Sequence, residues 1–188
     1  MQKINIVDKQ PLDKIKIITI YLGDTCNFDC VYCDRDYIKK IGSQNVTKSN
    51  LDELKEFLTW VDGQPNNLEI VNFHGGEPLL YIKRMEEIMQ WLFPMAQKNK
   101  WRISMTTNGS LVKENEWFFK KYSDVLYATV SYDFMYQGLN RENFDVFEMA
   151  EILNRYCKSW QWQFVIPIDD PKSFSFSNIS EIVNTCNK

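Results

Sequence analysis

Cys26-Asn27-Phe28-Asp29-Cys30-Val31-Tyr32-Cys33 is the stretch on which the reading of this chain turns. Its CxxxCxxC spacing crowds three thiols into one short run. Three thiolates so placed can hold three irons of a cubane cluster and leave the fourth iron without a protein ligand. A cluster that only carries electrons is ordinarily tied down by four cysteines. An iron left open therefore suggests a place for something to bind.

The remaining sequence disfavours two other readings of these thiols. A structural zinc site usually takes two ligand pairs. Here Cys157 and Cys186 are isolated and His74 is the single histidine, which makes zinc the weaker reading. Disulfides are weaker still, because five cysteines is an odd number and 188 residues can build a core without staples. Cys157 and Cys186 read as ordinary buried or half-buried thiols rather than as a fourth ligand.

Working outward, the composition is 44% hydrophobic and 14% aromatic, enough for one globular domain spanning residues 1–188 with an ample core. A net charge of -3 and a pI near 5.3 give no phosphate-backbone footprint, so nucleic acid is disfavoured as a partner. No apolar run reaches membrane-spanning length, and the first residues lack a charged-then-apolar leader profile. The expectation is a soluble, cytoplasmic protein, in a reducing compartment that keeps thiolates free for iron.

Around the cysteines, short β-branched runs alternate with longer amphipathic ones. Strands are expected at Ile15 to Leu22, Leu68 to Phe73, Trp101 to Thr106, Val125 to Tyr132 and Gln161 to Ile166. The isoleucines of the first are too continuous for a sheet wetted on one face. Between the strands, helices are expected from about Leu51 (with Asn50 as N-cap and Glu53 as its third-position acid), over Ile82 to Phe93, around Glu114 to Tyr122, and from Phe144 to Cys157. Pro94 should kink or end the second, and Asn178 to Thr185 reads as a last short helix. The sum is an α/β fold with a mainly parallel sheet, and polar or glycine-rich residues follow the C-terminal ends of its strands. Ligands of such folds sit there, where the loops converge.

The CxxxCxxC motif, the aromatic Tyr32 before its last cysteine and the downstream Gly75-Gly76-Glu77-Pro78 together resemble the radical S-adenosylmethionine enzymes. The resemblance implies a partial (β/α)6 barrel, here shortened at its C-terminal edge to about five βα units. It also implies a 4Fe–4S cluster on Cys26, Cys30 and Cys33, with S-adenosylmethionine chelated to the open iron and cleaved by one electron to a deoxyadenosyl radical. A flavodoxin- or ferredoxin-like protein would supply that electron. Many relatives carry a C-terminal domain with further clusters, and with no cysteine-rich tail none is expected here.

The same resemblance assigns roles at the strand ends. Tyr32 would lie near the adenine, although packing under the loop explains it equally well. Gly75 and Gly76 let the backbone approach a ligand, and a carbonyl or carboxylate of the Gly75–Glu77 run can accept from the ammonium of the methionine group. Asn108, in Thr107-Asn108-Gly109, would meet the ribose diol, to which an amide can both donate and accept. Ser131 and Arg141 would bind the cofactor carboxylate, Arg141 through its planar fork. Val165, with Ile166, would offer backbone to the adenine. No residue is assigned to the catalytic step, and His74 at a strand end reads more readily as packing than as a proton relay.

The Phe73–Leu80 stretch, Thr107-Asn108-Gly109-Ser110 and Ser131-Tyr132-Asp133 look most like maturases that modify residues in peptides or proteins, and a peptide or protein substrate is the leading expectation. Asp34 after Cys33, the short chain and Gln163–Ile166 are similar to carboxy-deazaguanine synthase, the second reading. A glycyl-radical activase and a degenerate cluster-binding scaffold stand behind these. The absent sixth strand also leaves one sheet edge to be covered, by the residues from Pro171 onward or by a partner.

Overall fold

The computed structural model describes residues 12–30, 33, 48–132 and 144–164. Five strands form one sheet: β1 (Ile17–Tyr21), β2 (Ile70–His74), β3 (Arg102–Thr107), β4 (Leu126–Tyr132) and β5 (Ser159–Phe164). They lie side by side in chain order, and every pairing is parallel. The crossovers carry the helices α1 (Lys48–Asp62), α2 (Ile82–Asn99), α3 (Glu116–Lys121) and α4 (Val146–Tyr156). This is the expected α/β architecture, a partial (β/α)6-type barrel with five βα-type strands among the described residues.

The pleat sorts the side chains onto two faces. Toward the helices point Ile20, Val71, Phe73, Ile103, Met105, Leu126, Ala128 and Val130, all buried. They meet Leu58 and Val61 of α1, Met85, Ile88, Met89 and Leu92 of α2, Phe118 and Phe119 of α3, and Met149, Ile152 and Leu153 of α4. The opposite, inner face is polar. Thr19, Asn72, Ser104, Tyr127 and Ser159 run across it in one row of register, and Thr129 lies beside Gln161, whose amide donates to the Thr129 hydroxyl at 3.4 Å.

Several expected boundaries move. β1 is an edge strand among the described residues, and Ile17 on its inner side is 57% exposed, so its isoleucines do not mark burial on both faces. Helix α1 already begins at Lys48, which places Asn50 inside the first turn rather than at its cap. Lysine is a good helix former and extends the helix at little cost. Helix α2 runs through Pro94 to Asn99 instead of stopping. Leu92 and Ala96 are both buried, so the helix is anchored on either side of the proline. Pro94 and Gln90, whose carbonyl loses its intrahelical donor, are exposed to water. Helix α4 starts at Val146, two residues later than Phe144 suggested, because the Asp145 carboxylate caps the N–H groups of Phe147 (2.9 Å) and Glu148 (3.0 Å).

Trp160 and Trp162 lie within β5, which begins at Ser159, two residues before the expected Gln161. Trp162 packs edge-on against Tyr132 at 5.3 Å. The expected helix at Asn178–Thr185, and the segment from Pro171 proposed to cover the edge, lie outside the described residues. No helix among the described residues is long and apolar enough to cross a membrane.

Candidate functional site

Three loops leave the C-terminal ends of β1, β2 and β3 and are hydrogen-bonded to one another. The first two continue the strand pairing past the end of the sheet. The Leu22 N–H donates to the His74 carbonyl (2.8 Å), Gly76 N–H to Gly23 (2.9 Å) and Glu77 N–H to Thr25 (2.9 Å). Such close parallel passage leaves no room for side chains on the β2 loop. A Cβ on Gly75 would lie 2.6 Å from the Gly23 carbonyl oxygen, and one on Gly76 would lie 2.4 Å from that of Thr25. Both obstacles are backbone and cannot swing away. Gly76→Ala is therefore expected to push the two loops apart, lowering the thermal unfolding midpoint and weakening any ligand held between them. A wild-type melting curve for that variant would refute the tight passage.

Tyr81, in the turn Pro78–Tyr81, holds the first loop from below. Its hydroxyl accepts from the Thr25 N–H at 2.7 Å. The Arg84 guanidinium donates to the Leu22 carbonyl at 2.8 Å. Tyr21 donates to the Asp24 carboxylate, and burial, then that hydrogen bond and the Asp24 charge, push its phenol up to about 12. Neither Tyr81 nor Arg84 was legible as part of the site. They act on the loop from positions about sixty residues away in the chain, and nothing in the local sequence marks them.

Glu77 joins the second loop to the third. Its carboxylate is 1% exposed. Oε1 accepts from the Leu79 N–H (3.0 Å) and the Thr107 hydroxyl (2.7 Å), and Oε2 from the Asn108 N–H (2.8 Å). The third loop then reaches the cysteines. The Asn108 amide donates to Asn27 Oδ1 at 2.9 Å and lies 3.9 Å from Cys26 Sγ. The Asn27 amide in turn donates to the Ser110 hydroxyl at 2.9 Å.

Of the expected site residues, the structure thus brings Cys26, Gly75, Gly76, Glu77 and Asn108 into one clasp. Ser131 sits at the C-terminal end of β4, in register with Gln163 on the inner face. Tyr32, Arg141 and Val165 lie outside the described residues. Cys30 is buried, Cys26 half-buried and Cys33 exposed; the Cys33 N–H donates to the Cys30 carbonyl at 3.0 Å. Among the described residues the three sulfurs are not gathered into a single shell. The donor set still suits an iron–sulfur cluster. It offers three thiols on one loop, and Cys26 Sγ already accepts from the Phe28 N–H (3.4 Å) and the Asn108 amide. Cys157, by contrast, is in contact with the core at the end of α4, and burial pushes its thiol up to about 12. His74 is exposed at the end of β2, its ring 6.1 Å from that of Tyr21.

A parallel α/β sheet whose first three strand-end loops are hydrogen-bonded to one another, the first of them carrying a cysteine triplet, defines a partial-barrel domain with thiols at its strand ends. The chain belongs to the radical SAM superfamily, whose family model matches residues 20–163. It is 29% identical over 133 residues to GTP 3',8-cyclase of Desulforamulus reducens, covering 70% of this chain and 34% of that protein. It is 29% identical over 124 residues to the radical SAM cyclopropyl synthase TigE of Paramaledivibacter caminithermalis, covering 59% of this chain and 26% of that protein. The solved structure of native anSMEcpe with bound AdoMet and Cp18Cys peptide superposes with a TM-score of 0.60 at 25% identity, over 81% of this chain and 43% of that one. The chain spans about a third or less of the length of these two curated relatives.

Proposed function

We propose that this chain holds a 4Fe–4S cluster on Cys26, Cys30 and Cys33, binds S-adenosylmethionine across the strand ends, and acts on a residue of a peptide or protein. The clasp that ties Cys26 to Glu77 through Asn108 carries this reading, because it holds a cysteine thiol, an amide and the glycine backbone of the second loop together at the strand ends. When bound, the cluster and cofactor supply one-electron cleavage of the sulfonium and a carbon radical able to abstract hydrogen. The protein's part is to bind, aim and exclude solvent.

Because the Glu77 carboxylate already serves three protein donors, we assign the methionine amino group to the backbone of Gly75–Glu77 rather than to that carboxylate. Ser131 and Arg141 are assigned to the cofactor carboxylate, and Tyr32 and Val165 to the adenine. Arg141→Ala is expected to weaken S-adenosylmethionine binding by about 1.5–3 kcal/mol, the worth of a charge-assisted hydrogen bond, while leaving the iron content intact. Calorimetric titration of the reconstituted variant checks this, and an unchanged affinity would remove Arg141 from the site.

The peptide substrate is supported by the peptide named with the anSMEcpe structure and by likeness to a cyclopropyl synthase, and a flavodoxin- or ferredoxin-like donor would deliver the electron. Reconstituted protein should release 5'-deoxyadenosine from S-adenosylmethionine when reduced, and should change the mass of a peptide encoded beside its gene. No release at all would end the reading. Release accompanied by turnover of GTP, with the peptide unchanged, would replace the peptide by a nucleotide.

A further inference from the structure

The Asn108 side chain is 7% exposed, and its orientation is fixed by its neighbours. Its Oδ1 accepts from the Ser110 N–H (3.0 Å) and the Ser110 hydroxyl (2.7 Å). A backbone N–H can only donate, so the oxygen must face Ser110 and the NH2 group must face the cysteine loop. There it meets Asn27 Oδ1 and Cys26 Sγ. Asn27 closes the ring by donating to Ser110. The backbone of Asn108 is held in its turn by the buried Glu77 carboxylate, which also fixes the preceding Thr107. Each element of this chain is a specific hydrogen bond, and together they aim one amide donor at one thiol.

Donors to ligand sulfur stabilise the more negative, reduced form of an iron–sulfur centre and raise its potential. We propose that Asn108 is a tuning donor to Cys26, raising the reduction potential of the cluster held there, and that Glu77 is the positioning residue that sets its aim. This rests on the reading that Cys26 is a cluster ligand. It differs from a contact between Asn108 and the ribose, because it acts with no S-adenosylmethionine present.

The test is an EPR-monitored reductive titration of anaerobically reconstituted wild type, Asn108→Ala, Asn108→Asp and Glu77→Gln, all without S-adenosylmethionine. Both Asn108 variants should keep full iron and sulfide content and shift the midpoint to more negative potential. Asn108→Asp, nearly the same shape but unable to donate, should shift at least as far as alanine. Glu77→Gln should move it the same way by less, since glutamine keeps one acceptor oxygen. Unchanged midpoints in both Asn108 variants overturn the inference, as does a lowered melting temperature with no shift in potential. Loss of the cluster in both variants also overturns it, since a tuning donor is not needed for assembly. A wild-type protein that takes up no cluster instead overturns the proposed function, and this inference with it.

Discussion

Anaerobic reconstitution is expected to load one 4Fe–4S cluster onto the wild-type chain and none onto the variant with Cys26, Cys30 and Cys33 all changed to alanine. The reason lies in donor supply. Among the described residues no group of three histidine, cysteine or carboxylate side chains is gathered as a metal site, so the case rests on the one short run that supplies three thiols, Cys26, Cys30 and Cys33. Cys157 is a poor substitute, because burial holds its thiol protonated, up to about 12, whereas iron requires the thiolate. The paired variant Cys157→Ala and Cys186→Ala should therefore keep nearly all of its iron and sulfide. Colorimetric iron and sulfide counts, with the EPR signal of the reduced protein, read both outcomes. Dependence of the cluster on Cys157 or Cys186 would mean that its fourth iron is closed by protein.

The second large effect is expected at Glu77. Leucine at this position would leave the Leu79 N–H, the Thr107 hydroxyl and the Asn108 N–H without their buried acceptor. Each orphaned buried donor costs about 1–3 kcal/mol, so Glu77→Leu should lose about 3–5 kcal/mol after local relaxation. Domains of this size have a total stability of about 5–15 kcal/mol, so the loss is a large share of the whole. Glu77→Gln should lose distinctly less. Urea unfolding followed by circular dichroism measures both, and equal midpoints for leucine and wild type would show that the carboxylate does not hold the loops together.

Much of the fold was legible because parallel strands of a βα protein carry a signal that is local. Ile70–Phe73, Arg102–Met105 and Leu126–Val130 carry apolar residues at alternate positions, and each became a strand within two residues of its expected start. The thiols and the glycine pair were legible for a similar reason, since spacing within a short run declares them. What the sequence concealed is long-range. Asn27 and Asn108 are 81 residues apart, and their pairing follows from the register of three strands rather than from either neighbourhood. Glu77 looked like a possible ligand because a carboxylate after two glycines is exposed in most loops. Its burial depends on Thr107 and Asn108 folding over it. Pro94 misled in the other direction, because its rule is written for an isolated helix and here the core face of α2 outweighs one missing hydrogen bond.

The strictly sequential order of the sheet bears on how the chain is made. Among the described residues each strand from β2 onward pairs with its immediate predecessor, so the sheet can grow in the order of synthesis. The clasp draws on the loops after β1, β2 and β3, and its last member is Ser110. It is thus encoded ahead of β4 and β5. During translation, which proceeds from the N-terminus and lets early units fold first, the thiol loop can find Glu77 and Asn108 while the remainder of the barrel is still on the ribosome. The first three loops would then already be tied together when the later strands, β4 with Ser131 among them, are laid beside them.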